Sequence, residues 1–94
     1  MPIRLVVSVK AQKGKGDEYA AGFLPRTLET QKEPGCLQYE LFRSMENPDS
    51  FTLLEKWTDQ AALDVHMEVL RSRPRPAGPG ITEGPPSMEK YEAE

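Results

Sequence analysis

The chain has 94 residues, enough for one small hydrophobic core and little more. Apolar residues make up 37% and aromatic residues 7%, lean for a monomer with two packed layers, so a core completed by a second chain is expected. Twelve basic against fifteen acidic residues leave a formal charge of −3, and no apolar run approaches the roughly 18 residues of a spanning helix, so neither nucleic acid nor a membrane is expected as a partner.

The first element is a strand. In Ile3 to Lys10 (IRLVVSVK), Ile3, Leu5, Val7 and Val9 alternate with Arg4, Val6, Ser8 and Lys10, and β-branched residues dominate. The segment is too short and too alternating for a signal peptide. Lys13-Gly14-Lys15-Gly16 breaks it, and Asp17 starts an amphipathic helix with acids in its first turn. Tyr19, Phe23, Leu24, Thr27 and Leu28 fall at helical spacing on one face. Pro25 lies inside that pattern and removes the bond back to Ala21, which predicts a kink or two shorter segments. Pro34-Gly35 ends the helix.

A second strand runs from Cys36 to about Ser44, Asn47-Pro48-Asp49 is a turn, and Phe51 to Thr58 returns as the second arm of a hairpin. Thr58 or Asp59 can cap a second helix, whose inner face carries Ala62, Leu63, His66, Met67 and Leu70. From Arg71 to Pro86 there are five prolines and three glycines, which predicts an extended loop. Arg71, Arg73 and Arg75 read as a solvated face. Met88 to Glu94 alternates weakly, consistent with a short edge strand. The chain thus reads as one domain over residues 1–94, with 71–87 a Pro/Gly-rich loop before the last strand. Strand, helix, strand, strand, helix, strand predicts an α+β ferredoxin-like βαββαβ plait, a four-stranded antiparallel sheet with both helices on one side.

In the hairpin, Leu37, Tyr39 and Leu41 share one face, and Phe51, Leu53, Glu55 and Trp57 share another. Pairing odd positions with odd merges them into one wall, whereas one single-residue slip would set Glu40 against Glu55. The other face carries Val6, Phe42 and Leu54 among Arg4, Gln38, Glu40 and Lys56. Two helices cover only one face, so a homodimer through the sheet is expected.

Residues 33 to 67, EPGCLQYELFRSMENPDSFTLLEKWTDQAALDVHM, closely resemble the antibiotic biosynthesis monooxygenase domain of the dimeric α+β barrel superfamily. The shared features are a Pro-Gly-Cys turn, an L-x-Y strand, a Pro-containing hairpin, F-x-L-x-E-x-W, an Ala-Leu helix start and a His. With the first strand and helix, the resemblance covers roughly residues 3 to 70. It implies a ferredoxin-like subunit whose sheet joins its partner's, with a pocket between sheet and helices. It also implies a cofactor-independent monooxygenase acting with O2 on a small aromatic, quinol or phenolic ligand. Other barrels of this kind degrade haem, isomerise or cyclise, and an isomerase or cyclase, or a non-catalytic ligand-binding dimer, are the alternatives. Leu53 stands where cofactor-free polyketide oxygenases carry an Asn, the first strand lacks the Asn of the haem-degrading members, and RPRPAGPGITEGPP replaces the usual pocket-closing segment.

Trp57 resembles the family's pocket Trp: its indole N–H can orient a carbonyl or peroxy group, or it can simply close the core. His66, the sole histidine, can act as general base toward a phenolic proton or be structural. Glu55 on an apolar wall needs a partner or a raised pKa, and Tyr39 can supply a hydroxyl. Tyr39, Glu55, Leu53, Phe23 and Leu63 are the expected substrate-lining set, with His66 and Trp57 catalytic. Cys36, the only cysteine, cannot form an internal disulfide, which makes a reducing cytoplasm the default location, and it reads as a packing residue rather than a reactive thiol. One cysteine and one histidine offer no metal cluster, so no metal and no cofactor are expected.

Overall fold

The computed structural model describes residues 1–72 and 81–92. Its elements are β1 (Ile3–Lys10), α1 (Gly16–Thr30), β2 (Cys36–Arg43), β3 (Ser50–Trp57), α2 (Gln60–Ser72) and β4 (Ser87–Glu92). The strands form one antiparallel sheet in the order β2-β3-β1-β4, the ferredoxin-like arrangement the element order predicts. The odd-numbered residues of β1 and β3 face the helices and form the core: Ile3, Leu5, Val7, Phe51, Leu53 and Trp57 are all buried.

The odd-with-odd hairpin register holds from Tyr39 onward. Tyr39 lies opposite Glu55 and Leu41 opposite Leu53, while Glu40 faces Leu54 and so escapes the like-charge pairing with Glu55. Leu37 departs from the expectation. The register shifts between Cys36 and Gln38, so that Cys36 pairs with Trp57 and Leu37 is the extra residue of a bulge. Its side chain is 55% exposed rather than part of the apolar wall.

In α1 the buried stripe is Tyr19, Phe23, Thr27 and Thr30. Leu24 and Leu28, expected on that face, are exposed, because each lies about 100° around the helix from its inward-facing neighbour. The helix runs as one element through Pro25 rather than as two segments. Pro25 and Ala21 are both exposed, so the carbonyl that loses its partner faces water. The helix opens at Gly16, one residue before the expected start, and its cap comes from the hairpin. The Asp49 carboxylate accepts from the backbone N–H of Gly16 at 2.8 Å and of Gly14 at 3.0 Å. Asp17, the expected opening residue, instead pairs with Arg43 at 2.9 Å.

The second helix is capped by Asp59, whose Oδ1 accepts from the Ala62 N–H at 2.9 Å. It buries Leu63 and His66 and continues to Ser72, so Arg71 belongs to the helix, exposed and paired with Glu68. Arg73 and Arg75 lie outside the described residues. The end of the Pro/Gly-rich segment is tied down: Gln12 N–H donates to the Ile81 carbonyl at 2.6 Å, Glu83 N–H to that of Lys10 at 2.9 Å, and Ile81 packs on the core. On the face away from the helices, Val6 and Leu54 are half-buried and Phe42 and Tyr91 exposed. No helix among the described residues is long and apolar enough to cross a membrane.

Candidate active site

Strand alternation in β3 turns Glu55 and Trp57 onto the same inward face, two residues apart. A carboxylate there is almost fully buried, and the Trp57 indole Nε1–H supplies its hydrogen bond at 3.0 Å to Oε1. The core face of α2 then brings His66 against this pair. The imidazole, with no exposed surface, lies 4.6 Å from the Trp57 ring at 31° and meets Tyr39 at 5.5 Å, nearly edge-on.

The ring is held between two acids. Nδ1 is 3.0 Å from Glu33 Oε1, contributed by the turn between α1 and β2, and Nε2 is 3.8 Å from Glu55 Oε1. With Glu33 a carboxylate, Nδ1 carries the hydrogen and donates it. At 3.8 Å the Nε2 contact is too long for a hydrogen bond, and Nε2 is buried without a partner among the described residues. Two acceptors then face each other unless a proton resides on one of them. Burial pushes the Glu55 carboxyl above its ordinary range; the Trp57 bond and the His66 charge oppose this, and Glu33 adds to it.

Burial likewise pushes the Tyr39 hydroxyl well above the usual tyrosine range, helped by Glu55, so Tyr39 is neutral at physiological pH. The half-buried Cys36 thiol is pushed up to about 11, by burial first and then by Glu33 and Glu55. That is the opposite of nucleophilic activation.

His66, Trp57, Glu55 and Tyr39 thus converge. Phe23 joins them through Tyr39, stacking on its ring at 6.2 Å and 9°, whereas Leu53 and Leu63 are buried core neighbours that make none of the polar contacts. None of these seven lines either of two hollows. One, of about 300 Å³, is a groove between α1 and the sheet lined by Ala20, Leu24, Thr27, Leu41, Arg43 and Phe51. The other, of about 620 Å³, lies at the hairpin end of the sheet beside Lys10, Phe42 and several hydroxyls. Thr27 is one turn beyond Phe23 and Leu41 one alternation beyond Tyr39, so the groove neighbours the buried Phe23–Tyr39 stack, which meets His66 through the Tyr39 ring. Sequence reasoning missed two residues, Glu33 and Arg43. Glu33 precedes the Pro-Gly turn as the acid nearest Cys36, but its distance of 33 positions from His66 hides their contact.

The sequence profile of the antibiotic biosynthesis monooxygenase family matches residues 2–69, from β1 nearly to the end of α2. The chain belongs to this family. It is 32% identical over 66 residues to the Bacillus subtilis protein named "Putative monooxygenase YcnE", covering 70% of each chain. Over 67 residues it is 30% identical to the Synechocystis protein sll1783, covering 71% of this chain and 46% of that one, so it spans about half the length of that relative. Among solved structures, an antibiotic biosynthesis monooxygenase-family protein of Caulobacter crescentus superposes with a TM-score of 0.80 at 28% identity, covering 99% of this chain and 90% of that one. A Nitrosomonas europaea family protein reaches 0.86 at 17% identity over 98% and 89%, a likeness of fold alone.

Proposed function

We propose that the protein oxidises a small phenolic, quinol or other electron-rich aromatic compound with molecular oxygen and no prosthetic group, with His66 accepting the proton that starts the reaction. The observation that carries this is the His66 Nε2 atom, buried without a partner among the described residues and backed on the far side of its ring by Glu33. An orphaned buried nitrogen costs about 1–3 kcal/mol, and a substrate hydroxyl would satisfy it. Loss of that proton leaves the electron-rich anion that reacts with oxygen. For a phenol bearing a ring CH2 group, the two C–H hydrogens are replaced by one oxygen atom as C=O and depart with the other as water. The substrate supplies the electrons, and the protein positions, desolvates and deprotonates it.

The groove between α1 and the sheet has the volume and apolar lining for a small ring system, with the Arg43 guanidinium at its wall to face an anionic oxygen. In this reading the ring displaces the Phe23–Tyr39 stack to reach Nε2, and Trp57 Nε1–H exchanges its bond to Glu55 for one to the oxygenated group. A second copy covers the outer sheet face at Val6, Phe42 and Leu54, so Leu54→Asp converts a dimeric solution mass to a monomeric one.

Oxygen consumption with a panel of hydroquinones and anthrols tests the reaction. Turnover is expected, lowered by about 10²–10⁴-fold in His66→Ala and reduced in Trp57→Phe. Absent turnover, or turnover unchanged in both variants, refutes it. The closed Phe23–Tyr39 stack favours a second reading, a dimer that binds such rings without oxidising them; saturable binding without oxygen uptake decides for it.

A further inference from the structure

We infer that Glu33 is a positioning residue for this reaction, fixing His66 in the tautomer that carries hydrogen on Nδ1 and leaves Nε2 basic. This rests on the reading of His66 as the proton acceptor. The Glu33 side chain is 13% exposed, its Oε1 is committed to Nδ1 at 3.0 Å, and its Oε2 is buried without a partner among the described residues. The alternative tautomer would turn the Nδ1 lone pair toward that carboxylate and aim Nε2–H across 3.8 Å at Glu55, exchanging a good hydrogen bond for a repulsion and a gap.

The backbone holds the carboxylate in place. Glu33 N–H donates to the Thr30 carbonyl at 2.9 Å, Cys36 N–H donates to the Glu33 carbonyl at 3.1 Å, and Thr58 N–H donates to the Gly35 carbonyl at 2.9 Å. Gly35 has a φ of +82°, and a Cβ there would lie 2.5 Å from the Ala62 Cβ. Its bare backbone lets α2 approach the turn, and His66 follows Ala62 one helical turn later on the same face. The turn and the helix therefore fix both ends of the Glu33–His66 contact. The other groups that bear on the ring are Glu55 and the Trp57 N–H from β3 and Tyr39 from β2; Cys36, also on β2, is close enough to feel both carboxylates. Among the described residues, only Glu33 is within hydrogen-bonding distance of a ring nitrogen.

His66 is the only histidine, so the chain labelled with ¹⁵N-histidine reports one imidazole. The expected spectrum of neutral His66 has the hydrogen on Nδ1. Glu33→Ala moves it to Nε2, and Glu33→Gln, which keeps an acceptor oxygen, retains Nδ1–H. In the oxygen assay Glu33→Ala lowers kcat by about 10-fold or more with little change in KM. Hydrogen on Nε2 in the wild type, or a tautomer indifferent to Glu33→Ala, overturns the inference. Should Glu33→Ala fail to fold, hydrogen on Nε2 in folded Glu33→Gln overturns it as well. Tautomer control by Glu33 with turnover surviving His66→Ala supports the tautomer assignment while refuting the proposed base. An indifferent tautomer with turnover lost in His66→Ala does the reverse.

Discussion

Gly35→Ala offers a measurement with an internal control. Gly35 and Gly14 have nearly the same positive φ, +82° and +80°, yet different surroundings. A Cβ at Gly14 meets nothing within 4 Å among the described residues, whereas one at Gly35 falls 2.5 Å from the Ala62 Cβ and 2.8 Å from Thr58 Oγ1. The left-handed conformation costs an alanine about 1–2 kcal/mol at either site. At Gly35, relieving the overlap adds about 1–3 kcal/mol, because α2 has to move off the turn. Gly14→Ala is therefore expected to lose about 1–2 kcal/mol and Gly35→Ala about 2–5. The change in unfolded-chain entropy is common to both and cancels in the difference. Urea denaturation of both variants at one protein concentration gives that difference, and at roughly 4–8 °C per kcal/mol it is visible in Tm as well. Equal losses at the two sites would refute the close approach of α2 to the turn, and with it the route by which His66 reaches Glu33.

The Glu55 carboxyl titrates above its ordinary value of 4.5, so across the window from that value up to its own the folded chain holds a proton the unfolded chain has released. Stability contributed by the protonated carboxyl is therefore lost as pH rises through that window, and Glu55→Gln, which cannot ionise, flattens this part of the profile in urea midpoints measured from pH 4 to 8. Asp49→Ala removes the acceptor for two amides at the start of α1 and is expected to cost about 1–2 kcal/mol in the same assay, with Asp49→Asn losing less. With its thiol raised from 9.0 to about 11, Cys36 has about 100-fold less thiolate than in the unfolded chain, so a thiol reagent at pH 8 labels the native protein at least that much more slowly than the urea-unfolded one.

Element order and hairpin register were legible because they depend on patterns of period two and on turn residues that act locally. Alternation of Leu53, Glu55 and Trp57 was enough to place an acid on the buried wall, and helical spacing from Ala62 to Leu70 was enough to set His66 against it. The fate of Leu24 and Leu28 was not legible, since hydrophobicity does not show which part of a wide apolar arc the sheet covers. Nor was the start of α1, whose cap is supplied by Asp49 from a hairpin more than thirty residues away. Glu33 escaped for the same reason: its partner lies across a turn and a whole hairpin, and only the approach of α2 at Gly35 unites them.

The bulge at Leu37 has a consequence for how β2 is measured out. Its first residue is set from one end, by the turn that binds Thr58 and pairs Cys36 with Trp57. Tyr39 onward is set from the other end, by the hairpin closed at Ser44 and Ser50. The two rulers disagree by one residue, and Leu37 absorbs the discrepancy by stepping out of the ladder. Shortening the strand by that residue would leave Cys36 and Tyr39 with the partners they have now and cost a side chain that already lies largely in solvent, whereas a deletion anywhere from Tyr39 to Arg43 would turn one part of the wall inside out.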